Sequence, residues 1–209
     1  MARNLDPKCK QCRREGKKLF LKGEKCLSSK CPLIKRNYPP GLHGIKGKPR
    51  LTTYGIQLRE KQQAKRMYGL LEKQFKKYYE MAIKKKGETG DNLLRLLELR
   101  LDNVVYRLGL VKSRNLARQL ISHSHFIVND KKVNIPSYQV KIGDVIKLKE
   151  RSLKNPVFEE KVKNLKIEEM PDWLSWDPKN FTVKIVKDPV DDKLRNIINT
   201  KIIIEFYSR

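Results

Sequence analysis

The stretch of sequence that decides the fold is residues 100–128, which read RLDNVVYRLGLVKSRNLARQLISHSHFIV. Up to His123 its apolar residues recur every three or four positions, which is the period of an α-helix. Ser113 can cap the second of these helices, which continues through Ile121. After His123 the pattern changes to the run Phe126-Ile127-Val128, which is typical of a strand. The stretch therefore predicts two short helices followed directly by a sheet.

Helical spacing also extends towards the N-terminus. Residues 57–86 carry apolar residues at intervals of three and four, which predicts a long helix with many basic residues on its remaining surface. Asp91 or Asn92 can cap a second helix, whose apolar stripe ends at Gly109. The region from residue 57 to residue 109 is therefore predicted to be helical.

Beyond the deciding stretch, short β-branched runs predict antiparallel strands. The turn-forming residues 129–132 separate Phe126-Ile127-Val128 from Val133, which predicts a hairpin. Further strands are predicted at 138–142, 145–148, 182–186 and 202–206. The predicted fold class is α+β, with a mainly antiparallel sheet.

The charge of the chain indicates a polyanionic partner. Its 209 residues include 48 Lys and Arg against 23 Asp and Glu, which leaves a net charge of +25. Of this charge, +18 lies in residues 1–90, whereas a surface that is merely well solvated mixes its signs along the chain. Nucleic acid is the partner that this concentration favours. Because the sequence has no apolar run of ~18 residues and no signal-peptide pattern, we expect a cytosolic protein without a membrane partner.

Four cysteines give the most specific chemical signal. Two residues separate Cys9 from Cys12, and four residues separate Cys26 from Cys31. Two such pairs can bring four thiolates to one tetrahedral ion, so we expect a structural Zn²⁺ that holds the N-terminal segment. An iron–sulfur cluster is the alternative occupant, since a proline follows Cys31 as in some clusters. Disulfides are disfavoured in a reducing cytosol, and four unligated thiols would lie in a segment that has no core to bury them.

Arginines accompany the helices of the deciding stretch. On one continuous helix, Arg100 and Arg107 are seven residues apart and share an edge of the apolar stripe. Arg114 and Arg118, four residues apart, share a face of the next helix, and Lys112 lies in the connecting turn. Such side chains can simply solvate a helix edge, but in a chain of this charge they favour a binding cluster for a polyanion.

Together these residues resemble a known RNA-binding module. The runs RLDNVVYRLG (100–109), ARQLISH (117–123) and FIVN (126–129) are similar to the small module named after bacterial small-subunit ribosomal protein S-four. The agreement continues outside the module in CRREG (12–16), LREKQ (58–62), YGLLEKQF (68–75), NIPSYQV (134–140) and EFYSR (205–209). The whole chain therefore resembles the universal S-four family of ribosomal proteins, in its cysteine-containing, zinc-binding form.

The resemblance implies a structural function in the ribosome. Members of this family are primary binders of small-subunit ribosomal RNA, nucleate assembly of its 5′ domain and then remain in place as structural proteins. They neighbour the fifth and third small-subunit proteins at the channel where messenger RNA enters, and they contribute to decoding accuracy. The matching stretch here, Gly41 to Arg50, differs in length and has Ile45 near an expected arginine. We therefore expect a cytoplasmic ribosomal protein that contacts these RNAs and neighbours and forms no homo-oligomer.

The expected organisation has three parts. Residues 1–44 form a four-cysteine metal-binding segment, 45–92 form a helical domain completed by 188–209, and 93–187 form the RNA-binding module with two short helices and antiparallel strands. The candidate metal ligands are Cys9, Cys12, Cys26 and Cys31. The candidate RNA contacts are Lys46, Lys48, Arg50, Arg59, Lys65, Arg66, Lys73, Lys76, Lys77, Arg100, Arg107, Lys112, Arg114 and Arg118.

The sequence gives weaker support to the alternative functions, an enzyme or a regulator, than to a structural ribosomal protein. Residues 41–49 resemble a phosphate loop, but they have one spacer too many and a proline where Ser or Thr must bind magnesium. Arg100-Leu101-Asp102 resembles the catalytic triplet of pseudouridine synthases, some of which carry the same module, yet no catalytic domain of sufficient length follows it. A zinc-bearing regulator of messenger RNA or DNA is the other alternative, disfavoured by the whole-chain resemblance. We predict no catalytic residues.

Overall fold

The computed structural model describes residues 4–47, 50–153, 158, 170–178, 180–189 and 192–209, with the backbone alone for residues 150, 153, 192 and 193. The chain divides into two compact units, one formed by Met1–Leu94 with Val190–Arg209 and the other by Arg95–Pro189. The first unit combines the ranges that the sequence assigns to the metal-binding segment and the helical domain. The three-part division itself stays a prediction.

Helices precede an antiparallel sheet along the chain. The helices before the sheet are α1 (Lys8–Glu15), α2 (Glu24–Leu27), α3 (Pro32–Lys35), a 3₁₀ helix (Leu42–Lys46), α4 (Thr53–Met67), α5 (Glu72–Ile83), α6 (Thr89–Glu98), α7 (Leu101–Arg107) and α8 (Arg114–Ser122). The strands are β1 (Phe126–Val128), β2 (Lys131–Lys132), β3 (Val145–Leu148), β4 (Leu174–Asp177) and β5 (Thr182–Ile185), with α9 (Glu150–Leu153) between β3 and β4. The helices after the sheet are α10 (Asp192–Ile197) and α11 (Thr200–Tyr207).

The predicted long helix over 57–86 is wrong, because the chain turns between α4 and α5. Gly69 has a φ of +66°, a left-handed conformation that favours glycine and ends a helix. The backbone N–H groups of Gly69 and Leu70 donate to the carbonyls of Arg66 and Lys65, which closes the last turn of α4. The periodicity was continuous across a break that the glycine imposes.

The predicted helix that ends at Gly109 is also two helices, α6 and α7. Between them Arg100 is extended, with ψ of 134°, and it forms a β-bridge with Gln139. The N–H groups of Leu101 and Asp102 donate to the carbonyls of Tyr138 and Pro136 at 2.9 and 3.1 Å. The crossing segment therefore takes the backbone groups that a continuous helix would have used.

The sheet has five antiparallel strands among the described residues, in the order β2-β1-β3-β5-β4. The predicted hairpin is present with a shorter turn, because Asn129 and Asp130 both have positive φ and Lys131 already pairs with Val128. The predicted strand at 138–142 is wrong, since its residues cross the α6–α7 break instead. Strand β4, which contains Trp176, was not predicted.

The predicted strand at 202–206 is wrong, because this β-branched run lies in α11. The Asn199 side chain accepts a hydrogen bond from the N–H of Ile202 and so caps the helix. Helix α11 packs along α4 and fully buries Ile203. Packing against α4 thus overrides the strand propensity of three consecutive isoleucines.

One core organises the second unit. Buried Leu101 and Val104 of α7 and Ala117 of α8 belong to the same cluster as Phe126 and Ile146 of the sheet. Ser113 caps α8 by accepting from the N–H of Leu116 at 3.3 Å, as predicted. None of the helices in the described part of the chain is long and apolar enough to cross a membrane. The core thus fixes α7 and α8 against the sheet and leaves their polar sides available.

Candidate RNA interface and cysteine cluster

An arginine cluster is formed by residues of α6, α7 and α8 and the break between α6 and α7. It consists of Glu98, Arg100, Asp102, Asn103, Arg107, Arg114 and Arg118. The carboxylates of Glu98 and Asp102 are 0% and 4% exposed, so each requires a charged partner close by. The four guanidinium groups outnumber these two carboxylates, which gives the cluster an excess of positive charge.

Asp102 holds two arginines of the cluster. The Arg100 Nε donates to Asp102 Oδ1 at 3.0 Å, and an Arg100 terminal nitrogen donates to Oδ2 at 2.6 Å. The guanidinium of Arg118, from the next helix, lies 3.5 Å from the same Oδ2. Asp102 therefore ties α8 to the start of α7 through buried charge.

Glu98 and Asn103 hold the other two arginines. The carboxylate of Glu98 accepts two bonds from Arg107, at 2.9 and 2.8 Å, and one from Asn103 at 2.7 Å. The side-chain oxygen of Asn103 accepts from Arg114 Nε at 2.8 Å. The guanidinium of Arg114 also lies 4.4 Å from the centre of the Tyr106 ring. Each of these planar groups is thereby fixed in orientation before any partner binds.

The structure corrects one of the predicted RNA contacts. Arg100 is fully buried, so its guanidinium does not face a partner. The predicted shared edge with Arg107 is wrong, because α6 ends at Glu98 and Arg100 lies in the extended link before α7. Arg107 and Arg118 keep 25% and 11% of their side chains exposed, and Lys112 is exposed. The accessible part of the cluster is thus smaller than the sequence indicated.

A second basic surface, the lysine face, lies on α5 in the first unit. It consists of Lys73, Lys76 and Lys77, which are all exposed and lie three and four residues apart on one side of the helix. Burial of Phe75, Tyr78 and Tyr79 on the opposite side directs the lysines outward. This surface presents charge without a fixed orientation.

The remaining predicted contacts fall into two groups. Lys46 ends the 3₁₀ helix and Arg50 follows it, and both are exposed, whereas Lys48 lies outside the described residues. A Cβ on Gly44 would overlap the Pro39 carbonyl, so this loop folds back closely on itself. The other group, Arg59, Lys65 and Arg66 of α4, is partly buried and bound to carboxylates.

Glu15 is the carboxylate that binds Arg59 and Arg66. Its side chain is 1% exposed, and it accepts from Arg59 at 3.3 Å and from Arg66. Burial raises the pKa of Glu15, and the positive charges of the two arginines act in the opposite direction. The pair therefore joins α1 to α4 within the first unit.

Glu72 joins the C-terminal helix α11 to the other helices of the first unit. Its carboxylate accepts from Lys61 at 2.7 Å, from Lys65 at 2.8 Å and from the Tyr207 hydroxyl at 2.7 Å. Partial burial alone would raise the pKa of Glu72, but these hydrogen bonds outweigh it and lower the pKa to about 2. Burial, together with the hydrogen bond to Glu72, raises the pKa of Tyr207 above its usual range. The last helix is thus held to α4 and α5 by charge as well as by ring contacts.

The four cysteines line one small cavity. Its volume is about 10 Å³, and Lys8, Lys22 and Lys25 also line it. The Lys22 backbone N–H donates to the Cys26 sulfur at 3.3 Å. Burial raises the pKa of the Cys12 thiol, a hydrogen bond from Leu19 opposes this, and the other three cysteines add to the rise.

The cysteines are not in disulfides, and the structure does not show the expected metal-held segment. Among the described residues, no group of three or more His, Cys, Asp or Glu side chains is arranged to hold a metal ion. The four cysteines line one cavity, which is a coarser result than the predicted set of metal ligands. Zn²⁺ therefore stays a proposal.

Comparison with known proteins assigns residues 3–98 and residues 99–146 to one family of ribosomal proteins. The model of the ribosomal protein S4/S9 N-terminal domain matches residues 3–98, and the S4 domain model matches residues 99–146. The small ribosomal subunit protein uS4 of Acetivibrio thermocellus is 51% identical over 209 residues, which cover 100% of both chains. The chain belongs to the uS4 family. The uS4 of Caldicellulosiruptor saccharolyticus and the uS4A of Alkaliphilus metalliredigens are each 52% identical over the same full length.

The two uS4 family matches divide the candidate sites between them. The N-terminal match contains the cysteines, the lysine face and the Glu15 contacts. The S4 domain match contains the arginine cluster from Arg100 to Arg118. Since uS4 proteins are structural, membership confirms the prediction that the chain is not an enzyme.

Sequence reasoning missed the residues that position the arginines. The sequence does carry a signal for Glu98, because a charged residue is unusual between the leucines of the apolar stripe Leu96-Leu97-Glu98-Leu99. A carboxylate at such a position is buried only when it is paired. Asn103 and Lys61 gave no comparable signal. Asn103 bonds Glu98, 5 residues away across the break between α6 and α7. Lys61 bonds Glu72, 11 residues away in another helix.

Proposed function

We propose that this chain is a structural constituent of the small ribosomal subunit that binds ribosomal RNA through the arginine cluster and the lysine face. The arginine cluster carries the proposal, because buried carboxylates fix an excess of guanidinium groups in set orientations. RNA helices are recognised mostly by shape and by phosphate contacts. A fixed set of planar donors suits this, since a guanidinium that remains accessible, unlike that of Arg100, can bind phosphate oxygens through two parallel bonds.

Fixed orientation has an energetic consequence. An arginine that moves freely loses rotamer entropy when it binds, at a cost of about 0.5–1.5 kcal/mol for each immobilised side chain. Arg107 and Arg114 are already held by Glu98 and Asn103, so much of that cost is met when the protein folds. The cluster therefore favours one RNA shape over polyanions in general.

We extend the proposal to the finer roles that the family resemblance implies. These are primary binding of small-subunit ribosomal RNA, nucleation of its 5′ domain, proximity to the fifth and third small-subunit proteins, and a contribution to the messenger RNA channel and decoding accuracy. Exposure of Lys46 and Arg50 in the loop that matches the channel region supports the last of these.

Binding to small-subunit ribosomal RNA tests the RNA proposal directly. The protein is mixed with a transcript of that RNA, and the dissociation constant is measured at rising salt. We expect tight binding with a steep salt dependence, of order 10³–10⁵ in affinity between low and moderate salt for ~6–10 neutralised phosphates. A large-subunit RNA transcript is the matched control, and equal affinity for both transcripts would contradict the proposal.

We also propose that the cavity between the cysteines holds one Zn²⁺. The four cysteines line one cavity of about 10 Å³, a volume that suits a single ion better than an iron–sulfur cluster. The Lys22 N–H that donates to the Cys26 sulfur and the lysines that line the cavity would offset the negative charge of a four-thiolate site. When bound, Zn²⁺ supplies folding energy to a segment with few apolar residues.

Metal analysis tests the zinc proposal. The protein is refolded with zinc under reducing conditions, and bound zinc is counted per chain in the wild type, in Cys9→Ser/Cys12→Ser and in the control Lys10→Ser. We expect one zinc in the wild type and the control, and none in the double variant. Full retention by the double variant, or iron and sulfide in the freshly purified protein, would overturn the assignment.

A further inference from the structure

A cleft in the first unit lies outside the arginine cluster, the lysine face and the cysteine cavity. Its volume is about 470 Å³, which is within the usual range for ligand sites. The lining residues come from the end of α1, from one side of α4 and from the segment between them, and include Arg14, Lys17, Leu51, Ile56, Arg59 and Arg66. Four cations and two carboxylates line this cleft, so its net charge favours an anionic ligand.

The α4 side of the cleft follows from helical spacing. Ile56, Arg59, Glu60, Gln63 and Arg66 are separated by one to four residues and lie on one side of α4. Residues on the other side, such as Gln57 and Lys61, instead contact α11. Helix α4 thus has one side that packs on α11 and another that lines the cleft, where Gln63 donates to the carbonyl of Ile197.

The cleft combines a basic wall with an apolar wall. Arg59 and Arg66 donate to Glu15, and each guanidinium has further N–H donors beyond those bonds. Arg14 and Lys17 are exposed at the rim. Leu51 and Ile56, which form the apolar part of the lining, are 49% and 45% exposed, although both are large apolar side chains. A free phosphate would use only the basic wall, and an apolar peptide would use only the other.

An unpaired nucleotide uses both walls. Its phosphate carries the negative charge that the basic wall requires, and its base is a flat surface that packs on apolar side chains and on guanidinium planes. In a duplex the base is stacked between its neighbours and cannot reach Leu51 or Ile56. The chemistry of the cleft therefore selects RNA at a position where a base is turned out of the stack.

We propose that this cleft receives a single unpaired nucleotide of the bound RNA, with its base against Leu51 and Ile56 and its phosphate on the basic wall. The inference rests on the proposed binding of ribosomal RNA and names one feature of that RNA which the protein recognises. Glu60, on the same side of α4, forms an ion pair with Lys17 at 3.7 Å. Its carboxylate can accept a hydrogen bond from the amino group of a base.

Photochemical crosslinking locates the nucleotide. A photoreactive benzophenone amino acid is placed at position 51, at position 56 or at the control position 83, and each full-length protein is bound to the small-subunit ribosomal RNA transcript. Ile83 is 52% exposed, which matches Ile56, and it lies outside the cleft. We expect positions 51 and 56 to crosslink to the base of the same unpaired nucleotide, and position 83 to a different site or to none.

Three outcomes would overturn the inference. The first is crosslinking from positions 51 and 56 only to paired nucleotides, and the second is no crosslinking while the protein stays bound. The third is crosslinking of both positions to a ribosomal protein in assembled subunits but not to RNA. If the wild type fails to bind the transcript at all, the proposed function itself has failed, which the binding assay detects separately.

An affinity measurement gives the size of the effect. Ile56→Ala and the matched control Ile83→Ala each shorten an exposed isoleucine, so neither is expected to unfold the protein. We expect Ile56→Ala to weaken RNA binding by about tenfold, in the range found when a stacked base loses its platform, and Ile83→Ala by less than about twofold. Equal losses in the two variants would contradict a base-binding cleft.

Discussion

The arginine cluster and the lysine face carry the same sign of charge in two different ways. In the cluster, Glu98 and Asp102 are 0% and 4% exposed, and they hold Arg107 and Arg100 by hydrogen bonds of 2.6 to 3.0 Å. On the lysine face, Lys73, Lys76 and Lys77 extend from α5 into solvent. The first arrangement specifies where each positive group lies, and the second specifies only that positive charge is present.

The two arrangements therefore contribute differently to RNA binding: one attracts any polyanion, and the other recognises a particular RNA shape. Exposed lysines raise the association rate with any polyanion, and their contribution weakens as salt increases. Fixed guanidinium groups bind tightly only to an RNA whose phosphates match their spacing. Buried carboxylates therefore act on RNA binding indirectly, because they determine where the arginines are.

The largest effect is expected from Asp102→Asn. This change leaves the fully buried Arg100 without its carboxylate, and removing one partner of a buried pair costs about 3–5 kcal/mol. We expect the free energy of unfolding, measured by urea titration, to fall by that amount. The control is Asp130→Asn, whose side chain is 83% exposed and pairs with Lys147, and we expect it to change stability by less than about 1 kcal/mol. Equal losses would remove the distinction between buried and exposed charge.

A smaller effect, on RNA binding rather than on folding, is expected from the triple variant Lys73→Ala, Lys76→Ala, Lys77→Ala. Loss of up to three phosphate contacts should reduce the slope of log affinity against log salt by about 2–3. Stability should be nearly unchanged, since the side chains are exposed. The matched triple change to arginine keeps the charge and should behave like the wild type. An unchanged slope in the alanine variant would exclude the lysine face from the interface.

The sequence predicts more of the lysine face than of the arginine cluster. It predicted the lysine face in full, because exposed residues at helical spacing need no tertiary information. It placed Arg114 and Arg118 on one helix face, but it could not foresee that Asp102 and Asn103 hold them. Their positions depend on the break between α6 and α7, which residues 136–140 impose from a distant part of the chain. The strand predicted at 202–206 failed for the same reason, since contact with α4 decides its conformation.

The smallest effect is expected at Glu72, a carboxylate that binds lysines as Glu98 binds arginines but is 45% exposed. Its pKa is about 2 in the folded protein and near 4.5 when unfolded. The stabilisation it gives is therefore fully present above pH 4.5 and is lost as the pH falls towards 2. Solvent screening limits it to about 1 kcal/mol or less.

The difference in unfolding free energy between wild type and Glu72→Gln checks this sign. We expect the wild type to be more stable at pH 6, with the advantage shrinking between pH 4.5 and 2. A constant difference across that interval would show that the carboxylate charge does not hold α11 to α4. The matched control is Glu80→Gln, a change of the same kind on the exposed side of α5.

The most direct test of the account compares Arg114→Lys with Lys76→Arg. Arg114 bonds the neutral side chain of Asn103, so lysine in its place keeps the charge and leaves no buried carboxylate unpaired. Affinity for small-subunit ribosomal RNA is measured over a series of salt concentrations. If orientation matters, Arg114→Lys gives a line parallel to the wild type but about tenfold weaker, and Lys76→Arg coincides with the wild type. Coincidence of all three lines would show that charge alone determines binding, and would contradict the account.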